Sequence, residues 1–176
     1  MKKDVAHDLT WSSALFSSEV WPLIMRDCGG GYIVPVESTS ETSLAGLLDM
    51  HAGIDWVHCG EHGVRGIASR VQAGPDYSTF TVRASRDSGA TTELEKRRLA
   101  IDTQMWLYPA LTVQAYAETQ TGPVTSVGVV KTVDLYRFIE SGGCRMNRTT
   151  NATFVICDWS KMQDSGVDVR VRKPKV

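Results

Sequence analysis

The chain has 176 residues, of which 42% are apolar and 22% charged, and its formal net charge is -1. That length and balance argue against a largely disordered chain and suit one ordinary domain, or one domain plus a tail, and a domain of this size buries about 70% of its unfolded surface without staples. A near-neutral molecule is no general trap for polyanions, so any nucleic-acid contact must come from a local basic patch.

The first helix is expected over residues 10–27. Thr10, Ser12 and Ser13 offer caps, and Ala14, Leu15, Phe16, Val20, Leu23 and Ile24 recur at helical spacing. Pro22 lies inside that pattern and predicts a kink or a second short helix, since it lacks an N–H and clashes one turn back. Gly29-Gly30-Gly31 ends the helix; no Gly-Lys-Ser/Thr follows, so it reads as a terminator rather than a phosphate loop. Tyr32 to Val36 is a short strand that Pro35 confines to an edge, and residues 38–46 are polar enough for a loop.

Strands follow at about 53–58, 66–72 and 78–84. The turn Ala73-Gly74-Pro75-Asp76 predicts that the last two form an antiparallel hairpin. Thr92-Glu93-Leu94-Glu95 is a capping box opening a helix to about Tyr108, with Leu94, Ile101, Met105 and Tyr108 on one stripe. Strands at Leu111–Ala117 and Val124–Val130 come next, then a helix capped by Thr132 and running to Gly142. Residues 141–151 read as a loop, Ala152–Trp159 as a strand, and 167–176 as a basic edge strand or tail. One domain over 1–166 accommodates these elements, with 118–166 as a strand-helix-strand extension.

Cys28, Cys59, Cys144 and Cys157 are widely spaced and form no CxxC pair, which argues against structural zinc and for reduced thiols. His51, His58 and His62 surround Asp55, but they fall on an expected strand and its flanking turns rather than on a helix, so a zinc reading is weak. The start Met1-Lys2-Lys3, with Asp4 and His7, has no apolar stretch of a signal peptide. Asn147-Arg148-Thr149 and Asn151-Ala152-Thr153 then read as chance glycosylation matches. No run approaches a membrane span. A cytoplasmic protein without membrane contact is the expectation.

The order of elements calls for an α/β (α+β) fold with a central mixed β-sheet flanked by helices. A helix bearing Glu19, the Gly31-Tyr32 strand, Gly53-Ile54-Asp55, a strand ending in Gln72, and a helix with Lys96 carry a specific likeness. Over about residues 12–117 the chain resembles the PD-(D/E)XK nuclease superfamily, in its restriction-endonuclease-like and Holliday-resolvase-like branches.

The resemblance implies metal-dependent phosphodiester hydrolysis of DNA or RNA, with Glu19 and Asp55 holding magnesium and a lysine orienting the attacking water. Where that family has an acid or Gln followed two residues later by Lys, this chain has Arg70-Val71-Gln72. Gln72 offers a carbonyl oxygen, but Arg70 stays charged and is a poor proton acceptor. Either Lys96 serves as a displaced lysine, or the site no longer cleaves. The second case describes a nuclease-fold module kept for nucleic-acid or protein binding. Asp49 is an alternative ligand to Asp55.

Period-2 spacing places Arg70 and Gln72 on one face of their strand, and pairing with the preceding strand would bring Asp55 beside them. Arg83 and Arg86, with Lys96 and Arg97 on the next helix, form a basic cluster suited to a phosphate backbone. The alternative is a solvated helix partly neutralised by Glu93 and Glu95. A homodimer or a protein partner is compatible with all of this. A small-molecule enzyme on an unrelated sheet finds no dinucleotide fingerprint, P-loop or nucleophile elbow in support.

Overall fold

The structure is a computed structural model describing residues 11–36, 44–61, 63–104 and 107–174. His7, Thr10, the polar segment 37–43, His62, Met105 and Lys175, all of which enter the sequence reading, lie outside the described residues. Helix α1 covers 11–24. Its answer to Pro22 is a π turn at Phe16–Val20 directly upstream, from which Trp21–Ile24 continues. The Trp21 N–H reaches the Phe16 carbonyl, five residues back rather than four.

In chain order the strands are β1 (Tyr32–Pro35), β2 (Trp56–Gly60), β3 (Gly63–Ala73), β4 (Thr79–Arg86) and β5 (Leu111–Ala117). They continue as β6 (Val124–Lys131), β7 (Arg145–Arg148), β8 (Ala152–Asp158) and β9 (Arg170–Arg172). Helix α2 spans 44–52 and includes a π turn at Leu48–Ala52; α3 is Glu93–Thr103, α4 Thr132–Glu140 and α5 Trp159–Asp164.

A mixed α/β architecture results, built on a six-stranded sheet of order β1-β2-β3-β5-β6-β9. β3 and β5 are parallel, and every other neighbouring pair in that sheet is antiparallel. β1, with Pro35, and β9 are the edges, which suits a proline and a basic, poorly apolar terminal strand. Trp56, Ile67, Val71, Val113 and Val127 face α1 and pack with Phe16, Val20 and Ile24; the Phe16 and Trp56 rings stack at 5.0 Å. Val57 turns the other way, into a small cluster with Val36, Ala52 and Ile54.

The hairpin expected from residues 66–72 and 78–84 does not form. β2 and β5 already occupy both edges of β3, so no ladder remains for β4. The chain leaves at Gly74, whose N–H bonds the Ala117 carbonyl, and β4 enters a second sheet of order β4-β8-β7. Phe80, Val82, Val155 and Cys157 on one face of that sheet form a second core with Tyr136, Leu135 and Trp159. Trp159 lies so close to β6 that a Cβ on Gly128 would meet its ring at 2.4 Å, which explains why a glycine stands there.

Other elements differ locally from the sequence reading. β7 lies inside the expected loop 141–151; all four of its residues are exposed, so no apolar alternation marks it. α2 overlaps the expected loop, and α5 follows β8 where no helix was predicted. The capping box is present at Thr92 and Glu95, but α3 ends at Thr103 because Gln104 turns left-handed at φ 53. Thr132 is the first residue of α4 rather than its cap, and its hydroxyl pairs with that of Thr112 at 2.9 Å.

The β7–β8 register brings Cys144 opposite Cys157, and the two form a disulfide. That corrects the reduced reading for this pair: a spacing of 13 residues says nothing until the hairpin closes. Cys28 and Cys59 are free. No helix among the described residues is long and apolar enough to cross a membrane.

Candidate nucleic-acid interface

Asp55 stands immediately before β2 and is fixed on all sides. Its N–H bonds the Ile67 carbonyl at 2.9 Å, its carbonyl accepts from the Val36 N–H at 3.0 Å, and its Oδ2 accepts from the Ser69 N–H at 2.5 Å. The carboxylate lines a cavity of about 330 Å³ with Asp49, Arg86, Glu93, Lys96 and Arg97. Burial pushes the Asp55 carboxyl up to about 6, against the opposing pull of the Ser69 N–H and of Arg97.

Arg97 fills the back of that cavity. It is buried, donates from Nη2 to the Gly53 carbonyl at 3.2 Å and lies 3.8 Å from Glu93. Gly53 permits this approach: it holds φ +63, and a Cβ there would press on the guanidinium at 3.3 Å. Burial alone would lower the Arg97 pKa, but Glu93, Tyr136 and Asp55 outweigh it and raise it. Burial alone would likewise raise Glu93, yet Arg97, Arg70 and the Arg83 N–H and guanidinium together hold it below the usual carboxylate range. Protein atoms crowd Glu93, but its side chain keeps 36% of its surface exposed through the cavity mouth, so solvent still screens it.

Glu19 is not brought to Asp55. It sits on α1, across the sheet from α3, where its Oε2 accepts the Val124 N–H at 2.8 Å and pins the turn before β6. The magnesium implied by the resemblance would need these two acids together. The cation beside Asp55 is instead the guanidinium of Arg97, and no group of three His, Cys, Asp or Glu side chains among the described residues is disposed to hold an ion. The residues present do not fit a magnesium cage. His58 is occupied as well: its Nδ1 accepts from Arg65 Nε at 3.0 Å, which leaves Nε2–H to donate to the Gly30 carbonyl at 2.7 Å.

Trp56 pairs with Ile67, so one step back Asp55 stands opposite Ala68, on the face that Arg70 and Gln72 share. The face is common, the cavity is not. Arg70 and Gln72 line a neighbouring cleft between the two sheets, with Tyr77, Arg145 and Phe154. Glu93 bridges the two, near Arg97 on one side and Arg70 and Arg83 on the other.

The basic side chains are contiguous. Arg86 lines both the Asp55 cavity and an adjoining hollow that Arg83 also lines. Arg83 and Arg70 each place a guanidinium 5.5 Å from the centre of the Phe154 ring. Arg70 and Phe154 then share the cleft with Arg145. A track therefore runs from Lys96 through Arg86, Arg83 and Arg70 to Arg145. The Arg83 pKa is lowered first by burial and then by Arg86 and Arg70, which reports how closely the positive charges stand. Arg97, grouped with these residues on sequence grounds, is buried at the back of the Asp55 cavity, which it lines with Lys96 and Arg86.

Glu93, Phe154, Arg145 and Tyr77 were not singled out as site residues by sequence. Glu93 was visible as a partner three residues before Lys96, and Phe154 with Ile156 as the second apolar face of a strand whose first face is Val155 and Cys157. The chain matches no family model, no curated protein and no solved structure.

Proposed function

We propose that this chain is a restriction-endonuclease-like module that binds DNA or RNA through the track from Lys96 to Arg145, and that it holds nucleic acid without cutting it. The observation carrying the reading is the Arg70–Phe154–Arg83 contact, which joins basic groups from two sheets into one surface. Clustered arginines around an aromatic ring match what phosphate and base contacts require.

Support for the fold reading comes from connectivity: α1, the antiparallel run β1-β2-β3 with α2 inserted between its first two strands, then, after β4 of the other sheet, α3 and a strand, β5, parallel to β3. Asp55 stands immediately before the second strand, near where the resemblance asks for its acid. Binding is favoured over hydrolysis because Arg97 supplies the positive charge beside Asp55 and Glu19 serves a turn elsewhere. Fluorescence anisotropy with DNA and RNA oligonucleotides, paired with plasmid incubation in Mg²⁺, Mn²⁺ or EDTA, tests both halves. Saturable binding with intact plasmid is the expected result. Metal-dependent nicking abolished by Asp55→Ala would restore the hydrolytic role, and absence of binding at low salt would remove both.

A further inference from the structure

The cleft between the sheets has a volume of about 420 Å³, the scale of a small-ligand site. Its floor is formed by Arg70 and Gln72 of β3 and Tyr116 of β5, and its walls by β4, β8 and β7. Two arginines line it and no carboxylate does. Neither Arg70 nor Arg145 forms an ion pair among the described residues, and the side-chain amides of Gln72 and Asn147 have no hydrogen-bond partner there.

A further donor is unmet nearby. Gln114 stands beside Arg70 in the sheet register, and its Oε1 accepts from the Thr81 hydroxyl, which lines the cleft. Its buried Nε2 has no partner among the described residues. At the mouth Tyr77 is 56% exposed, its ring edge-on to Tyr116 at 6.2 Å.

Each feature asks for a complementary group. Two cations in a cleft whose lining holds no carboxylate, with Glu93 acting on Arg70 only from the neighbouring cavity, call for an anion such as phosphate. Two free amides, each donor and acceptor, suit the polar edge of a base, and an exposed ring suits its face. A duplex keeps base faces stacked and base-pairing edges paired, so it cannot present all three to a cleft of this size. On the nucleic-acid reading above, we propose that the cleft receives one unpaired nucleotide of a single strand. Its phosphate lies at Arg70 and Arg145, its base stacks on Tyr77, and its edge meets Gln72 and Asn147. The module is then a single-strand or strand-end binder.

The test uses anisotropy with one labelled strand, free and fully annealed, on wild type, Tyr77→Ala and Arg145→Ala. Both substituted side chains are exposed, and unchanged melting temperatures would verify folding. The single strand should bind tighter than the duplex. Tyr77→Ala should weaken single-strand binding about tenfold, leaving duplex binding within about twofold. Arg145→Ala should weaken the single strand more than the duplex. If wild type binds both forms and the variants match it on the single strand, the cleft assignment is overturned while the basic-track reading stands. If wild type binds neither form at low salt, both fall. Competition by a nucleoside monophosphate as tight as by the strand would reassign the cleft to a free small molecule and overturn the proposal.

Discussion

Arg70 and Arg83 come from strands of different sheets, yet their guanidinium groups sit at the same 5.5 Å from one ring, that of Phe154. The repulsion between two like charges is thus offset by an aromatic quadrupole, in addition to the nearby Glu93 carboxylate that both arginines act on. Phe154→Leu keeps an apolar side chain but removes that attraction, and should destabilise the fold by about 1–2 kcal/mol. Urea unfolding measures it, and an unchanged midpoint would show that the ring does not hold the pair. Added inorganic phosphate should raise the melting temperature of Phe154→Leu more than that of wild type, because the repulsion left unrelieved in the variant draws an anion to the pair.

The Asp55 carboxyl, raised from an ordinary value of 3.8 to about 6, takes up a proton on folding between those limits. Folding stability from this group is therefore present below about pH 4 and falls as pH rises to about 6. Asp55 keeps partial solvent access, so the full cost above pH 6 is about 1–2 kcal/mol. Asp55→Asn still accepts from Ser69 and never ionises. It should be more stable than wild type at pH 8, with the gap closing at pH 4.5. Chemical denaturation at both values decides it; a variant weaker than wild type at pH 8 would mean that the charge is needed, as a ligand or partner.

Glu93 and Arg97 form an ion pair in which only the arginine is fully enclosed. Glu93→Gln strands a buried guanidinium at a cost of about 1–3 kcal/mol, less than for a wholly buried pair because solvent already reaches Glu93. A double variant with Arg97→Met should recover part of that loss. If the double variant is as weak as the sum of the singles, the two side chains are not coupled.

Phe80 is fully buried on the inner face of β4, with Trp159 at 5.7 Å. Phe80→Ala should cost about 3–5 kcal/mol, read from the denaturation midpoint. A variant that melts with wild type would contradict the packing of the second sheet.

Strands with strong local patterns could be read directly from the sequence. Leu111–Ala117 is apolar and bounded by Pro109, and Thr92 with Glu95 announces its helix through capping chemistry. Pairing partners were less legible, because they depend on residues far apart. The turn at Gly74-Pro75 looks the same whether β4 returns to β3 or departs to β8, and only the filling of both β3 edges decides it. Asp55 and Lys96 stood out by motif and do line one cavity. Arg97 and Glu19 carry the same charges as useful site residues, and their actual roles depend on burial and on a turn 105 residues away.

The most direct test of the central claim is the salt dependence of oligonucleotide binding by wild type, Asp55→Ala and the pair Arg83→Ala with Lys96→Ala. Anisotropy titrations at two or more salt concentrations give the slope of log affinity against log salt. The account predicts clear binding at low salt and little loss, or a gain, in Asp55→Ala, which removes a negative charge near phosphate. It predicts weaker binding to every sequence in the double variant, with the slope shallower by about one unit per lost phosphate contact. Wild-type protein with no affinity for DNA or RNA at low salt, or a double variant with the wild-type slope, would contradict it.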